Sequence, residues 1–471
     1  MLSIHVVHTD RWGYYLDDLV PGRPEATLVS GERPARWAGD GAAMLGLRGT
    51  VDADTFVMVM NGQDPRSGRS LRSPHGEASV SAYDLTFCAP KSVSLLHALA
   101  PTEIAAEVGA GHDAAVAETS AYLARRAVGV RRAQGQGTPP LPLPSTGMVA
   151  GEFLHRTSRA LDPHLHTHVV AANVAQGVDG KWSAVDSRRV FAHLRAAGAV
   201  YQAALRSELS SRLGVAWEVR PSGLGDVVGV DNGLRRLFSQ RAAAIEEYLM
   251  ARGAPGQGVG HERRALPRRR SGAFFATRPD KDRTQVVESL MPEWRSRAAD
   301  FGYDLGDLGQ VVGRGRRTDI ERGSGGSFDP RRLIDRLEEL EPTGRHLARR
   351  DVVTLVAAAS VGGATVPVIE SVTDRLVAGK PSWPWDRSTE GGSAREPRWA
   401  CQDLLRSVRG HQRELVAAVD GPDGHRRGDG AVSDRVAARR RGRADFTEPD
   451  RHSARSDDRR RGRGEDSGLG R

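Results

Sequence analysis

Residues 164–168 read HLHTH and run directly into the apolar stretch VVAANV, with a further histidine, His155, closing the run EFLH upstream. This stretch restricts the chain more than any other. A strand sends successive side chains to opposite faces. In HLHTHVV, His166 and His168 therefore share one face with Val170, while Leu165, Thr167 and Val169 share the other. At the usual rise the two imidazoles stand about 6.5–7 Å apart along the strand. His155 ends another strand-like run, GMVAGEFLH (147–155), and SRALDP (158–163) suits a hairpin connection. Paired antiparallel, the two strands bring a third nitrogen to the same point. Three imidazoles with open positions are a common catalytic metal arrangement. One histidine alone is usually an ordinary hydrogen-bonded group, but this spacing across two strands favours a metal centre. His164 follows Pro163 at the beginning of the strand and is expected to be solvated rather than ligating.

The rest of the chain bounds the partners. Its 471 residues suit two to three domains, and the formal net charge of +9 with a pI near 10.0 attracts polyanions, nucleic acid above all. Almost all the basic charge is arginine, the lysines being Lys91, Lys181, Lys281 and Lys380; a GC-rich coding sequence explains that bias equally well. Cys88 and Cys401 lie far apart, neither in a CxxC pair, so neither a disulfide framework nor a cysteine zinc site is expected and a reducing cytoplasm fits. The start MLSIHVVHTDRWGYY lacks the apolar core of a signal peptide. No run approaches the length of a membrane span.

Periodicity and turn residues divide the chain as follows. VDADTFVMVMNG (51–62) and YDLTFCA (83–89) read as strands, APKSVSLLHALA (89–100) as a helix starting near Pro90, and 102–127 as a long Ala-rich helix. GTPPLPLPSTG (137–147) reads as a loop, 177–186 as a turn with a third strand, and 196–214 as a helix stopped by glycine. A further helix spans 239–253, with Ser239 as N-cap and Gly253 as C-cap. A globular segment is expected over 1–300, a linker over 301–330, a partial helical region over 331–420, and a disordered tail rich in Arg, Asp and Gly over 421–471.

Two further features carry chemistry. RWGYYLDDL (11–19) holds adjacent tyrosines, Tyr14 and Tyr15, in a chain with only seven. Such a pair packs as an amphipathic patch, or one phenol is a nucleophile; tyrosine forms covalent intermediates with phosphate, and a nearby metal stabilises the developing charge. Asp84 in YDLTF is an ordinary strand-start carboxylate unless it lies beside the histidines, where it would fix a ligand tautomer. Lys91, near a helix start, suits phosphate, as does Arg159 in TSR.

Together these blocks resemble the TrwC/TraI-type conjugative relaxases, the MobF class of HUH endonucleases. The resemblance rests on GYY, RWAGDGAAMLGL (36–47), YDLTFCAPKSVSLLHAL (83–99) and FLHRTSRALDPHLHTHVVAANV (153–174). It covers roughly residues 1–300, and 331–420 loosely. It implies an α+β fold with a central antiparallel sheet flanked by helices, and an enzyme that nicks one strand of single-stranded or hairpin DNA at a transfer origin. The implied reaction is a reversible transesterification through a 5′-phosphotyrosine. His155, His166 and His168 would be the metal ligands, Tyr14 the first nucleophile with Tyr15 in reserve, and Asp84 the group that orients a ligand or helps deprotonate the phenol. Lys91 and Arg159 would contact DNA. Mg²⁺ or Mn²⁺ suits a phosphodiester, and three imidazoles also suit Zn²⁺ or Ni²⁺. Accessory relaxosome proteins and a coupling protein are the other implied partners.

The sequence departs from the pattern twice. Residues 16–37 contain no second tyrosine pair. No GK[ST] occurs, the two Gly-Lys pairs reading GKW and GKP, so no ATP site is expected although RRDVVTLVAAAS (349–360) resembles the start of a helicase region. A truncated or frame-shifted product that keeps the nicking region is the expectation. A rolling-circle replication initiator, a decayed single-strand-binding protein and an unrelated zinc hydrolase remain alternatives.

Overall fold

The computed structural model describes residues 1–9, 13–16, 19, 33–73, 79–251, 272–273, 276–277, 287–314, 328–379 and 397–420. The expected tail over 421–471 and Gly253 lie outside the described residues.

The centre is a five-stranded sheet ordered β1-β3-β7-β6-β2, antiparallel throughout. Its strands are β1 (Leu2–His8), β2 (Arg36–Ala38), β3 (Val80–Cys88), β6 (Ala150–Thr157) and β7 (Pro163–Ala172). Between β3 and β6 a ribbon pairs β4 (Gly129–Arg132) with β5 (Leu141–Pro144). The α+β class with a central antiparallel sheet is thus what the chain adopts. The helices used below are α1 (Gly13–Leu16), α2 (Ala53–Met60), α3 (Lys91–Leu99), α4 (Thr102–Arg126), α5 (Ser187–Leu213), α6 (Gln240–Met250) and α7 (Val287–Asp300). After them come α8 (Pro330–Leu340), α9 (Arg349–Ala359), α10 (Val366–Val377), α11 (Cys401–Gly410) and α12 (Gln412–Asp420). Among the described residues no helix is long and apolar enough to cross a membrane.

Strand alternation sorts the sheet into two layers. Leu85 and Phe87 of β3, with Leu165 and Val169 of β7, join the large core beneath α3, α4 and α5. Ala82, Val170 and Ala172 face the other way, into a smaller cluster with Tyr15, Trp37, Phe56 and Phe153. Asp84, Thr86, His166 and His168 share the parity of this second face. The site is therefore on the sheet face that the long helices leave open.

Several local expectations differ from the fold. Residues 51–62, read as a strand for their β-branched content, contain α2. Asp52 caps it by accepting from the Thr55 amide at 2.8 Å, and Phe56, Val59 and Met60 fall on one buried side at helical spacing. Capping and burial outweigh strand propensity here. The proline-rich 137–147 contains β5: Pro142 and Pro144 alternate with Leu141 and Leu143, so both missing N–H groups point to the same side of a two-stranded ribbon, where nothing needs them. In 177–186 only Trp182–Ser183 is a strand, paired with Ala175–Gln176 outside the central sheet. The helix read at 196–214 begins at Ser187. Ser239 precedes α6 without capping it, its hydroxyl donating instead to the Arg235 carbonyl at 2.6 Å.

Residues beyond 300 do not stand apart. Leu308 and Val311 are fully buried, and the core that holds α5 also holds Leu333, Val353, Val356 and Ile369. The buried Arg206 guanidinium of α5 donates to the carbonyls of Gly223 (2.7 Å), Ala357 (3.2 Å) and Ser360 (2.8 Å), gathering the C-terminal end of α9. Oriented carbonyls at a helix C-terminus suit a cation. Gly363, at φ +99°, lies so close to α5 that a Cβ would sit 2.1 Å from the Ser207 amide nitrogen. Only glycine fits there.

Candidate metal and tyrosine site

β6 and β7 form the hairpin, with His155 paired opposite His166 and a register shift just beyond it. The rings of His155, His166 and His168 make a nearly equilateral triangle, with centroids 5.3, 5.2 and 5.2 Å apart. One nitrogen from each lies within 4.8 Å of the others. The donor set fits a divalent metal. Nδ1 of His166 faces the His164 carbonyl at 2.8 Å, and Nδ1 of His168 faces the Asp84 carboxylate at 2.8 and 2.9 Å. Both partners only accept, so each Nδ1 carries the proton and each Nε2 keeps its lone pair for an ion.

Asp84 joins this triangle to a tyrosine. It is almost fully buried, and its Oδ2 accepts from the Tyr15 phenol at 2.8 Å. Thr86 donates to Oδ1 at 3.2 Å. Burial alone would raise the Asp84 pKa, but the facing His168 charge and hydrogen bond, the Tyr15 phenol and His5 outweigh it and hold the carboxyl below its ordinary value. Tyr15 sits in α1 with its ring 5.5 Å from Phe153, 6.4 Å from Phe56 and 6.2 Å from His168. Tyr14 precedes it in the same turn of helix, and its side chain lies outside the described residues.

The remaining candidates lie close by with other partners. Lys91 opens α3, and its ammonium donates to the Pro163 carbonyl at 2.7 Å, tying that helix to the first residue of β7. Burial brings its pKa down to about 8. Arg159 is half-buried in the β6–β7 connection, near Arg241. That connection is pinned. Leu161 adopts a left-handed φ of 56°, its carbonyl accepts from the Trp294 indole at 2.9 Å, and the buried Asp162 accepts from the Gln240 amide at 2.8 Å. His164, expected to be solvated, is instead half-buried against His166, with centroids 4.6 Å apart.

Sequence reasoning missed what stands behind the site. His112 of α4 is completely buried between the Tyr201 hydroxyl of α5 and the Thr167 hydroxyl of β7, each 2.9 Å away. It thereby anchors the residue between the two strand histidines. Nothing in an Ala-rich helix marks it. Burial, first among the causes, pushes His112 and His164 down to about 3, and His97 and His193 to about 4. Each is depressed below the ordinary 6.5, so the stability that depends on their neutrality is complete above that value and is lost as pH falls toward the folded-state values. The urea midpoint is expected to fall steadily between about pH 6.5 and 4, and His112→Gln to flatten that slope. A midpoint constant over that range would show the four imidazoles are not held neutral.

Comparison with known proteins agrees with this geometry. The TrwC relaxase family matches residues 5–301. The multifunctional conjugation protein TraI of Escherichia coli is 33% identical over 319 residues, and that of strain K12 is 31% identical over 310. These spans cover 65% and 63% of this chain, which accounts for 16% of the length of either relative. Among solved structures, the conjugative relaxase TrwC in complex with oriT DNA aligns over 65% of this chain and all of its own. It does so metal-free with 32% identity and a TM-score of 0.55, and metal-bound with 33% and 0.54. TrwC complexed with a 27-mer DNA comprising the recognition hairpin and the cleavage site gives 30% identity and a TM-score of 0.54 over the same share. With a family match over more than half its length, a central antiparallel sheet and a histidine triangle backed by a carboxylate and a phenol, this chain belongs to the TrwC relaxase family.

Proposed function

We propose that the chain is a metal-dependent DNA strand transferase that nicks and rejoins single-stranded DNA at a transfer origin. The observation that carries the reading is the placement of a phenol–carboxylate pair, Tyr15 and Asp84, directly beside three imidazoles that each bring one nitrogen within 4.8 Å of the others. His155, His166 and His168 would hold a divalent ion, which when bound would supply positive charge to a phosphate oxygen. Mg²⁺ or Mn²⁺ is the proposed physiological ion. The protein does the rest. Tyr14 is the nucleophile and Tyr15 its reserve; a phenol oxygen forms a bond to phosphorus while the bond to the 3′ oxygen breaks, leaving a 5′-phosphotyrosine and a free 3′-OH. Asp84 accepts phenolic hydrogen, as it does from Tyr15, and holds His168 in one tautomer. Reversal needs no added energy, because one phosphodiester is exchanged for another. Arg159 and Lys91 border the connection and start of β7, where the DNA backbone would pass.

The test is a protein–DNA adduct that survives SDS. Labelled single-stranded oligonucleotides tiling the transfer-origin region next to the gene are incubated with the protein and Mg²⁺ or Mn²⁺, beside Tyr14→Phe and Tyr15→Phe. An adduct in the wild type that EDTA prevents and Tyr14→Phe lacks is expected. Loss in Tyr15→Phe alone would move the nucleophile by one residue. Binding and metal retention without any adduct would overturn the enzymatic reading in favour of a single-strand-binding protein.

A further inference from the structure

A polar chain crosses the large apolar core beneath the sheet, and the chemistry above does not use it. The Tyr201 hydroxyl of α5, the His112 imidazole of α4 and the Thr167 hydroxyl of β7 stand in a row, with 2.9 Å at each contact. All three residues are at most 1% exposed. Gly111 brings the two helices together at this level: a Cβ there would sit 2.7 Å from Cδ2 of Leu209 in α5. Tyr201 packs edge-on against Phe87 with centroids 5.4 Å apart, and Phe87 is the β3 residue paired with Thr167. Burial brings the His112 pKa down to about 3, so the imidazole is neutral. A neutral imidazole has one donor and one acceptor, so it joins two hydroxyls in a single direction of donation and holds both at once.

Such a chain costs stability. Each polar group leaves water for an apolar core, and leucine or phenylalanine would fill the same space without that cost. What apolar packing does not supply is direction. A fully satisfied buried network fixes one arrangement, whereas apolar contacts tolerate sliding. Thr167 is where such fixing matters. Its backbone joins His166 to His168, whose rings share the opposite face with centroids 5.2 Å apart. Rotation of β7 about its axis at Thr167 would swing both imidazoles together, away from His155 on β6. The registered pairs with β3 end at Cys88 and His166, and beyond them the Ser94 hydroxyl of α3 accepts from the Leu165 amide at 3.1 Å. β7 is therefore gripped from the helix side at Leu165 and Thr167, directly behind the triangle.

We infer that Tyr201, His112 and Thr167 form a positioning chain for the metal centre, fixing His166 and His168 through the backbone between them. The inference rests on the reading that the histidine triangle holds a divalent ion. The three residues are not ligands themselves; they act through β7, as the partners that orient a ligand act through its ring.

The test uses the full chain with Co²⁺ as the probe, because its visible bands report coordination geometry as well as occupancy. Kd is measured by competition with a chelator, and thermal unfolding is followed without metal. Thr167→Val keeps the branched shape and removes the hydroxyl. Tyr201→Phe removes the far end of the chain and leaves β7 untouched. Both are expected to bind Co²⁺ about 3- to 10-fold more weakly than the wild type, the span of one buried hydrogen bond, with altered bands. Thr167→Ser keeps the hydroxyl and is expected to recover the wild-type Kd and bands. Should Thr167→Val not fold, Tyr201→Phe and Thr167→Ser decide. A wild-type Kd with wild-type bands in Tyr201→Phe would overturn the inference, and a lowered unfolding temperature beside them would make the chain core structure only. A wild-type protein that binds no Co²⁺ would instead remove the metal reading itself, and the inference with it.

Discussion

His166→Ala is expected to abolish stoichiometric metal binding and to slow adduct formation by at least about 10³-fold, the loss anticipated when several kcal/mol of charge stabilisation disappears. His166 is the vertex with the least freedom. It is nearly buried, its Nδ1 is fixed on the His164 carbonyl at 2.8 Å, and it faces His155 directly across the hairpin. His164→Ala is the informative neighbour. It removes a ring stacked on His166 but keeps the backbone carbonyl that orients it, and His164 is absent from the nitrogen triangle. Metal stoichiometry, measured by elemental analysis after dialysis, is expected to remain at one per chain in His164→Ala and to vanish in His166→Ala. Equal metal content in both variants would mean that the triangle is not the ion site.

How much of this was legible beforehand follows from the physics of each element. Strand alternation alone placed His166 and His168 on one face and Thr167 on the other, and a short connection brought His155 opposite, as β6 and β7 show. Helix 102–127 declared itself through spacing and ends within a residue of the observed Arg126. Failures came where a local rule met a competing one. Residues 51–62 are rich in valine yet follow a capping aspartate, and the cap with one buried side prevailed. Residues 137–147 hold prolines in alternation rather than in succession, which an edge ribbon tolerates. Long-range hydrogen bonds leave no local trace at all. Asp84 and Tyr15 are separated by 69 positions, and His112 and Thr167 by 55. Only the fold reveals that one carboxylate bonds both the Tyr15 phenol and the His168 imidazole, and that Lys91 reaches a strand carbonyl.

That shared carboxylate defines the second large effect. Asp84→Asn preserves volume but removes the negative charge and replaces one of two acceptor oxygens with a donor, although His168 Nδ1 lies beside both oxygens, at 2.8 and 2.9 Å. With its oxygen at the Oδ2 position the amide accepts from Tyr15 and His168, but its NH₂ then faces the His168 Nδ1–H from the Oδ1 side; with its oxygen at Oδ1 the NH₂ faces both the phenol and that N–H, so either rotamer weakens the hold on the imidazole tautomer. Metal affinity is expected to fall by about 10- to 100-fold, the usual cost of losing a ligand's orienting partner. The rate of adduct formation is expected to fall further, by about 10²- to 10⁴-fold, because an amide can accept a hydrogen bond but cannot take up the phenolic proton. The two effects separate with excess Mn²⁺. If saturating metal restores the rate, Asp84 acts only by holding His168. If the deficit persists at full occupancy, the carboxylate also acts on the tyrosine. An Asp84→Asn protein with unaltered rate and unaltered metal affinity would remove Asp84 from the mechanism, and the Tyr15 contact would then be packing alone.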